Sequence, residues 1–151
     1  MTQQPIATLL FEIGLRFFAL AATSSEQKSE ISGGRISFSK GRIMAAVIEA
    51  FETTGTGLRL KDLQTVTGLS KSTLSETIDE LVKNELLIRQ PSRTDRRAIE
   101  ILPTKKGIRS MKVTSQKLDD LWENITADIP ENDRAVFHNV LMQVSQTLKC
   151  Q

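Results

Sequence analysis

A chain of 151 residues, 39% of them hydrophobic, is long enough to bury a core and short enough for one domain. Its formal net charge of +2 and pI of about 8.8 exclude bulk charge as a guide to partners. The single cysteine, Cys150, excludes an internal disulfide framework and fits a reducing compartment, and the single histidine, His138, has no Cys or His at ligand spacing, which excludes a zinc site.

The first element runs from Ile6 to Ala22. It is apolar enough to resemble the hydrophobic stretch of a signal peptide, yet no basic segment precedes it, and Glu12 and Arg16 lie inside it at i,i+4, where they can pair. Seventeen residues with two internal charges make a poor membrane span. Ile6, Leu9, Leu10, Ile13, Phe17, Leu20 and Ala21 fall on one helical stripe, so a soluble amphipathic helix packed against a partner is expected, with the cytoplasm as its location.

Thr23 to Ser39 has no apolar period and carries Gly33-Gly34, the composition of a mobile connection. Ser39 is the expected N-cap of a second helix in which Ile43, Met44, Val47, Ile48 and Phe51 repeat at helical spacing and which Gly55 and Gly57 end. Leu58 to Leu60 is short and extended. Lys61 to Thr67 is a brief helix with Leu63 and Val66 inward. In the turn Gly68-Leu69-Ser70, Gly68 takes a positive φ, Leu69 plugs the core and Ser70 caps the next helix.

That helix, Lys71 to Asn84, buries Leu74, Ile78, Leu81 and Val82 and turns Lys71, Ser72, Ser75, Glu76 and Asp79 outward. Small hydroxyl side chains at a helix start approach bases and phosphates without clashing, although they are also ordinary helix-start residues. Leu86 to Gln90 and Ala98 to Leu102 read as strands joined by Pro91 to Arg97. Thr104 then caps a helix carrying Ile108, Met111, Leu118, Leu121, Trp122 and Ile125. Pro130 interrupts the pattern, and a last helix carries Val136, Phe137, Val140, Leu141, Val144 and Leu148.

Charge is distributed unevenly. Residues 86–109 hold seven Lys/Arg against two Asp/Glu, a net of +5, whereas 1–85 and 110–151 carry −1 and −2. A local basic patch on a near-neutral chain is what a phosphate-contacting element requires, and a helix followed by an arginine-tipped hairpin can grip duplex DNA in two grooves. The plainer alternative is a solvated hairpin whose arginines serve solubility.

Four pieces in order, Leu69-Ser70-Lys71-Ser72-Thr73-Leu74-Ser75, Leu81-Val82-Lys83-Asn84-Glu85-Leu86, Asp95-Arg96-Arg97-Ala98 and Leu102-Pro103-Thr104-Lys105-Lys106-Gly107, resemble the MarR family of bacterial winged-helix regulators. The resemblance covers about residues 58–107 and beyond them rests on the pattern of flanking helices. It implies a mostly α chain with a small β-hairpin wing, a winged helix-turn-helix lobe of about residues 39–104 in a single 1–151 domain, and dimerisation helices over about 5–22 and 105–149.

The resemblance also implies site residues. The recognition helix offers Ser70, Lys71, Ser72, Thr73, Ser75 and Glu76, and the wing offers Arg93, Thr94, Asp95, Arg96 and Arg97. In the family the wing arginine, here Arg97, enters the minor groove and the aspartate, here Asp95, orients it. A carboxylate-held guanidinium in a narrow, electronegative groove is chemically apt for that role. Asp95 equally suits closing the hairpin turn. An effector cleft lined by Phe17, Phe18, Phe51 or Trp122 is implied for an aromatic compound, though the same residues suit dimer and core packing.

The chain departs at three places from the pattern of the family it resembles. Glu76 stands where many carry a basic residue, and with Asp79 and Glu80 makes the helix acidic on balance; it can accept a hydrogen bond from cytosine N4 or weaken binding. Glu85 replaces the glycine usual after the recognition helix, and Pro103 the residue usual before Thr104.

The expected function is therefore a sequence-specific, homodimeric transcriptional regulator, a repressor that binds a pseudo-palindromic operator on double-stranded DNA and answers to a small-molecule effector. The acidic recognition helix motivates the alternative, a winged-helix protein-interaction module with weak or no DNA binding. An enzyme is not expected: there is no Gly-rich phosphate loop, no Ser/His/Asp or Cys/His set and no cofactor motif, and Asp119-Asp120 are adjacent on a helix and face different ways.

Overall fold

The computed structural model describes residues 5–24, 37–92, 95 and 97–149. In chain order they form α1 (Ile6–Ser24), α2 (Phe38–Thr54), β1 (Leu58–Arg59), α3 (Leu60–Thr67), α4 (Lys71–Lys83), β2 (Leu87–Pro91), β3 (Ile99–Pro103), α5 (Lys105–Ile125) and α6 (Glu131–Lys149). The chain divides into two compact units, residues 1–115 and 116–151. The architecture is mostly α with a small antiparallel sheet, as expected, and most of the 23–39 connection lies outside the described residues.

The core of the first unit is built by α2, α3, α4 and the sheet. Ile43, Met44 and Val47 of α2, Leu63 of α3, Leu74, Ile78 and Leu81 of α4, and Leu86, Leu87 and Ile101 form one buried cluster against which Leu69 and Met111 pack. Spacings of three and four within each helix bring these side chains onto one stripe. Burying each large one stabilises the unit by about 1.5–3 kcal/mol relative to exposure.

The helix ends follow from local chemistry. Gly55 (φ 69°) and Gly68 (φ 63°) are left-handed, and their N–H groups donate to the Phe51 and Gln64 carbonyls, ending α2 and α3 with the bond a single αL residue permits. Ser70 caps α4: its Oγ accepts from the Thr73 N–H at 3.2 Å. The expected cap of α2 moves by two residues, because Ser37 holds the extended N-cap conformation and Ser39 lies inside the first turn. Phe38, also in that turn, meets Phe18 edge-to-face with ring centroids 5.6 Å apart and lies under the Arg42 guanidinium. Val66 is not inward either. It is exposed, and Thr67 takes the buried place because its hydroxyl donates to the Leu63 carbonyl at 2.6 Å and so enters the core satisfied.

The sheet has three strands in the order β1-β3-β2, all antiparallel. Leu58 pairs with Ile101 and Arg59 with Glu100, while β2 and β3 pair from Leu87↔Pro103 to Pro91↔Ile99. The short extended segment before α3 is thus the third strand of the wing sheet. Gly57 lies against it, and a Cβ there would come 2.7 Å from the Ile101 carbonyl oxygen.

The tightest packing lies where α4, β2, β3 and α5 meet. The Asn84 N–H donates to the Glu80 carbonyl, Glu85 N–H to Val82 and Leu86 N–H to Leu81, with Glu85 itself left-handed at φ 61°. That pattern is a Schellman close, with Leu86 and Leu81 supplying its apolar contact. The Leu86 carbonyl accepts from the Thr104 N–H at 3.1 Å, and Thr104 Oγ1 accepts in turn from the Gly107 N–H at 2.9 Å, capping α5. A Cβ on Gly107 would stand 2.1 Å from the Leu86 oxygen, so only glycine lets α5 start here.

Gly107→Ala is expected to cost about 3 kcal/mol or more, measured by urea unfolding, since backbone on both sides must move. Gly41→Ala, where an added Cβ meets nothing within 4 Å, is the control and should be neutral or stabilising by up to about 1 kcal/mol.

Candidate nucleic-acid interface

The outward surface of α4 is polar, as expected. Lys71, Ser72, Glu76, Asp79 and Lys83 are exposed and Ser75 is half-buried, while Leu74, Ile78 and Leu81 are fully buried beneath them. At the start of the helix the hydroxyls are knitted together: Ser70 Oγ lies 3.0 Å from Ser72 Oγ and 2.8 Å from Thr73 Oγ1. Ser70 and Thr73 therefore have cap duties of their own.

Two of the three carboxylates on α4 are committed to the protein itself. Asp79 Oδ1 lies 2.6 Å from Nη2 of Arg89 on β2. Glu80 Oε1 accepts from the ammonium of Lys40 on α2, whose side chain is only 10% exposed. Each pair spans two elements, so together they hold α4 against the wing on one flank and against α2 on the other. The exposed Arg89 pair is worth little in stability; in the other pair, removing Glu80 would leave the shielded Lys40 cation without its counter-charge, which is costly. The acidity read from the recognition helix is largely neutralised by these two cations, a fact that one-dimensional spacing could not reveal.

At the wing tip, the Ser92 N–H donates to the Ala98 carbonyl at 2.8 Å and the Ala98 N–H to the Asp95 carbonyl at 2.9 Å. The Asp95 carboxylate accepts from the backbone N–H of Arg97 at 3.0 Å. This is the side-chain turn that Asp forms two residues ahead of a backbone donor. Asp95 closes the hairpin in this way and fixes the backbone of Arg97; among the described residues no carboxylate pairs with the Arg97 guanidinium, which is exposed. Arg93, Thr94 and Arg96 lie outside the described residues.

The ends of the wing are tied to α4 and α5. Thr104 Oγ1 donates to the Glu85 carbonyl at 2.7 Å, and Lys106 Nζ donates to the Asn84 carbonyl at 3.1 Å and reaches Glu85 Oε2 at 3.4 Å. Glu85 adopts the left-handed conformation that glycine would take without strain.

Of the four aromatic residues expected at a cleft, Phe18 lines an apolar hollow of about 540 Å³ with Leu10, Phe11, Gly14, Leu15 and Phe38. Phe17 and Phe51 are half-buried and do not line it. Trp122, in the second unit, stacks on Phe137 with ring centroids 5.9 Å apart and planes 15° from parallel. Phe11, Leu15 and Phe38 were not singled out by the sequence because they fall off the α1 stripe or at a helix start. His138 is exposed on α6, Cys150 lies outside the described residues, and no group of His, Cys, Asp and Glu among the described residues could hold a metal ion. Among the described residues, no helix is long and apolar enough to cross a membrane.

Residues 38–98 match the model of the MarR family. The fold is similar to the reduced form of MarR from E. coli, at 16% identity, covering 95% of this chain and 98% of that one with a TM-score of 0.76. It is similar to MepR, a transcription regulator of the Staphylococcus aureus multidrug efflux pump MepA, at 16% identity, coverage of 96% and 99% and a TM-score of 0.69. A MarR-family transcriptional regulator from Rhodococcus sp. RHA1 is likewise similar, at 16% identity, coverage of 94% and 96% and a TM-score of 0.68. No curated protein sequence matches the chain.

The strain at Glu85 gives a stability prediction. A left-handed non-glycine residue costs roughly 1–2 kcal/mol, more than the roughly 0.4–1 kcal/mol that glycine loses in the unfolded chain. Glu85→Gly should stabilise the protein by about 0.5–1 kcal/mol in urea unfolding, because the exposed contact to Lys106 offsets little.

Proposed function

We propose that this chain, whose residues 38–98 match the MarR family model and whose fold is similar to that of MarR and MepR, is a winged-helix regulator that binds operator DNA sequence-specifically as a homodimer and represses transcription. The observation that carries this reading is the pairing of a capped helix, with Lys71, Ser72, Ser75 and Glu76 on its open side, with a hairpin whose tip presents Arg97 on a backbone braced by Asp95. Recognition residues in a major groove and an arginine in the adjacent minor groove use both. Two such lobes, about 10 bp apart, would read the halves of a pseudo-palindrome.

The apolar faces of α1 and α6 support the homodimer. Val136, Phe137, Val140, Leu141, Val144 and Leu148 on α6 are each 39–67% exposed, and Ile6, Leu9, Leu10 and Ile13 on α1 are 40–76% exposed. Rows of large apolar side chains that one chain leaves in water mark an association surface. The hollow beside Phe18 and Phe38 supports an apolar effector, with aromatic compounds fitting its lining. MepR regulates a multidrug efflux pump; by analogy, the genes under control here would handle the compound that fills the hollow. The protein-interaction alternative has a weaker motive, since Asp79 pairs with Arg89 and Glu80 with Lys40, although Glu76 keeps its charge exposed.

Fluorescence anisotropy with the duplex upstream of the protein's own gene tests the DNA reading. Binding should be tight, fall steeply between low and moderate salt, and drop at least tenfold in Arg97→Ala. Equal, weak binding to this duplex and to a scrambled one, unchanged in Arg97→Ala, would refute it. For the homodimer, light scattering should give twice the chain mass of 16.8 kDa. The variant carrying Val140→Asp with Val144→Asp should fall to the monomer mass while keeping its circular dichroism.

A further inference from the structure

Resting on the operator-binding reading, we propose that Glu76 is a specificity determinant that reads a cytosine in the major groove. Helical spacing places Ser72, Glu76, Asp79 and Lys83 along the ridge of α4 opposite the buried Leu74, Ile78 and Leu81. Asp79, on one side of that ridge, is held by Arg89, and Glu80, on the other, by Lys40. Glu76 stands between them, exposed, and among the described residues it alone of the three carboxylates on α4 has neither an ion pair nor a hydrogen bond. It is the sixth residue of a 13-residue helix, in the half of a recognition helix that reaches base edges.

An unpaired carboxylate on this ridge has one chemically favourable place in a DNA complex. Against a phosphate it meets like charge. Over the base edges it can only accept hydrogen bonds, so guanine O6 and N7 and thymine O4, all acceptors, repel it. Two donors remain, cytosine N4 and adenine N6. Adenine N6 is flanked by two acceptors, its own N7 and the paired thymine O4, whereas cytosine N4 has one beside it, the paired guanine O6, so cytosine is favoured. Lys71 and Lys83, exposed toward the two ends of α4, supply the cations that compensate the approach of a negative side chain to the duplex. Glu76 therefore trades general affinity for discrimination, and its charge rejects sequences that lack the cytosine.

Selection of bound duplexes from a random-sequence pool by the full-length wild type, Glu76→Gln and Glu76→Ala tests this, with anisotropy on the winning sequences and circular dichroism to confirm folding. Wild type should require cytosine at one position of each half-site, with roughly tenfold loss on replacing it. Glu76→Gln, which can both donate and accept, should move the preference at that position alone to adenine. Glu76→Ala should abolish preference there and leave the others intact. If both variants keep the wild-type motif and bind every duplex tighter by a common factor, Glu76 is merely repulsive and the proposal falls. If folded wild type enriches no motif at all, sequence-specific binding itself is refuted and the proposal falls with it; retained Glu76-independent motifs separate the first failure from the second.

Discussion

The winged lobe depends on one close approach, that of the Leu86 carbonyl to the backbone of Gly107. Leu86 ends the Schellman close of α4 and begins β2, and Gly107 lies in the first turn of α5, directly after β3. Because the carbonyl would stand 2.1 Å from any Cβ at 107, the two segments pack backbone to backbone. Thr104 bridges the same junction, donating to Glu85 and accepting from Gly107. The recognition helix, both wing strands and the following helix are thereby referred to a single point. A wing hinged only through a flexible connection would not keep its arginine at a fixed distance from the helix beside it, and the proposed two-groove binding would demand precise placement of both.

The electrostatics of the lobe are layered on that frame. The cations within 86–109 divide between structure and surface: Arg89 neutralises Asp79 and Lys106 braces the end of α4, while Arg97 is left exposed at the tip. Lys40, buried beside α4, takes Glu80. A recognition helix that is acidic by count presents a much less acidic face. The strain accepted at Glu85 sits at the same junction, where a glycine would be easier; the contact from Lys106 to Glu85 is too exposed to be its reason.

The two apolar helices stand apart from this lobe in their energetics. The core cluster is closed and its large side chains are fully buried, whereas the apolar rows of α1 and α6 are largely in water. Leaving several Val, Leu and Ile side chains about half exposed forgoes part of the roughly 1.5–3 kcal/mol that full burial of each would give. Such rows suit a second surface that covers them, and they lie in helices remote in sequence from the block proposed to face DNA.

Much of this was legible from residue order, because it depends on neighbours within one or two turns. Ile43, Met44 and Val47, and Leu74, Ile78 and Leu81, declare their buried stripes by spacing alone; Gly68 and Ser70 declare the turn by backbone freedom and capping chemistry; Thr104 declares the start of α5. What tertiary structure decided involves partners far apart along the chain. Leu58 and Arg59 become a strand only because Ile101 and Glu100 lie beside them. Ser37 replaces Ser39 as the cap in a turn where Phe38 also packs on Phe18, and Thr67 displaces Val66 inward because its hydroxyl finds a carbonyl. The pairing of Glu80 with Lys40 and of Asp79 with Arg89, which leaves Glu76 open, follows from through-space contact between separate elements. Periodicity records which side of an element is apolar; only packing assigns each charge its counterpart, because Coulomb attraction depends on distance in space and not on separation along the chain.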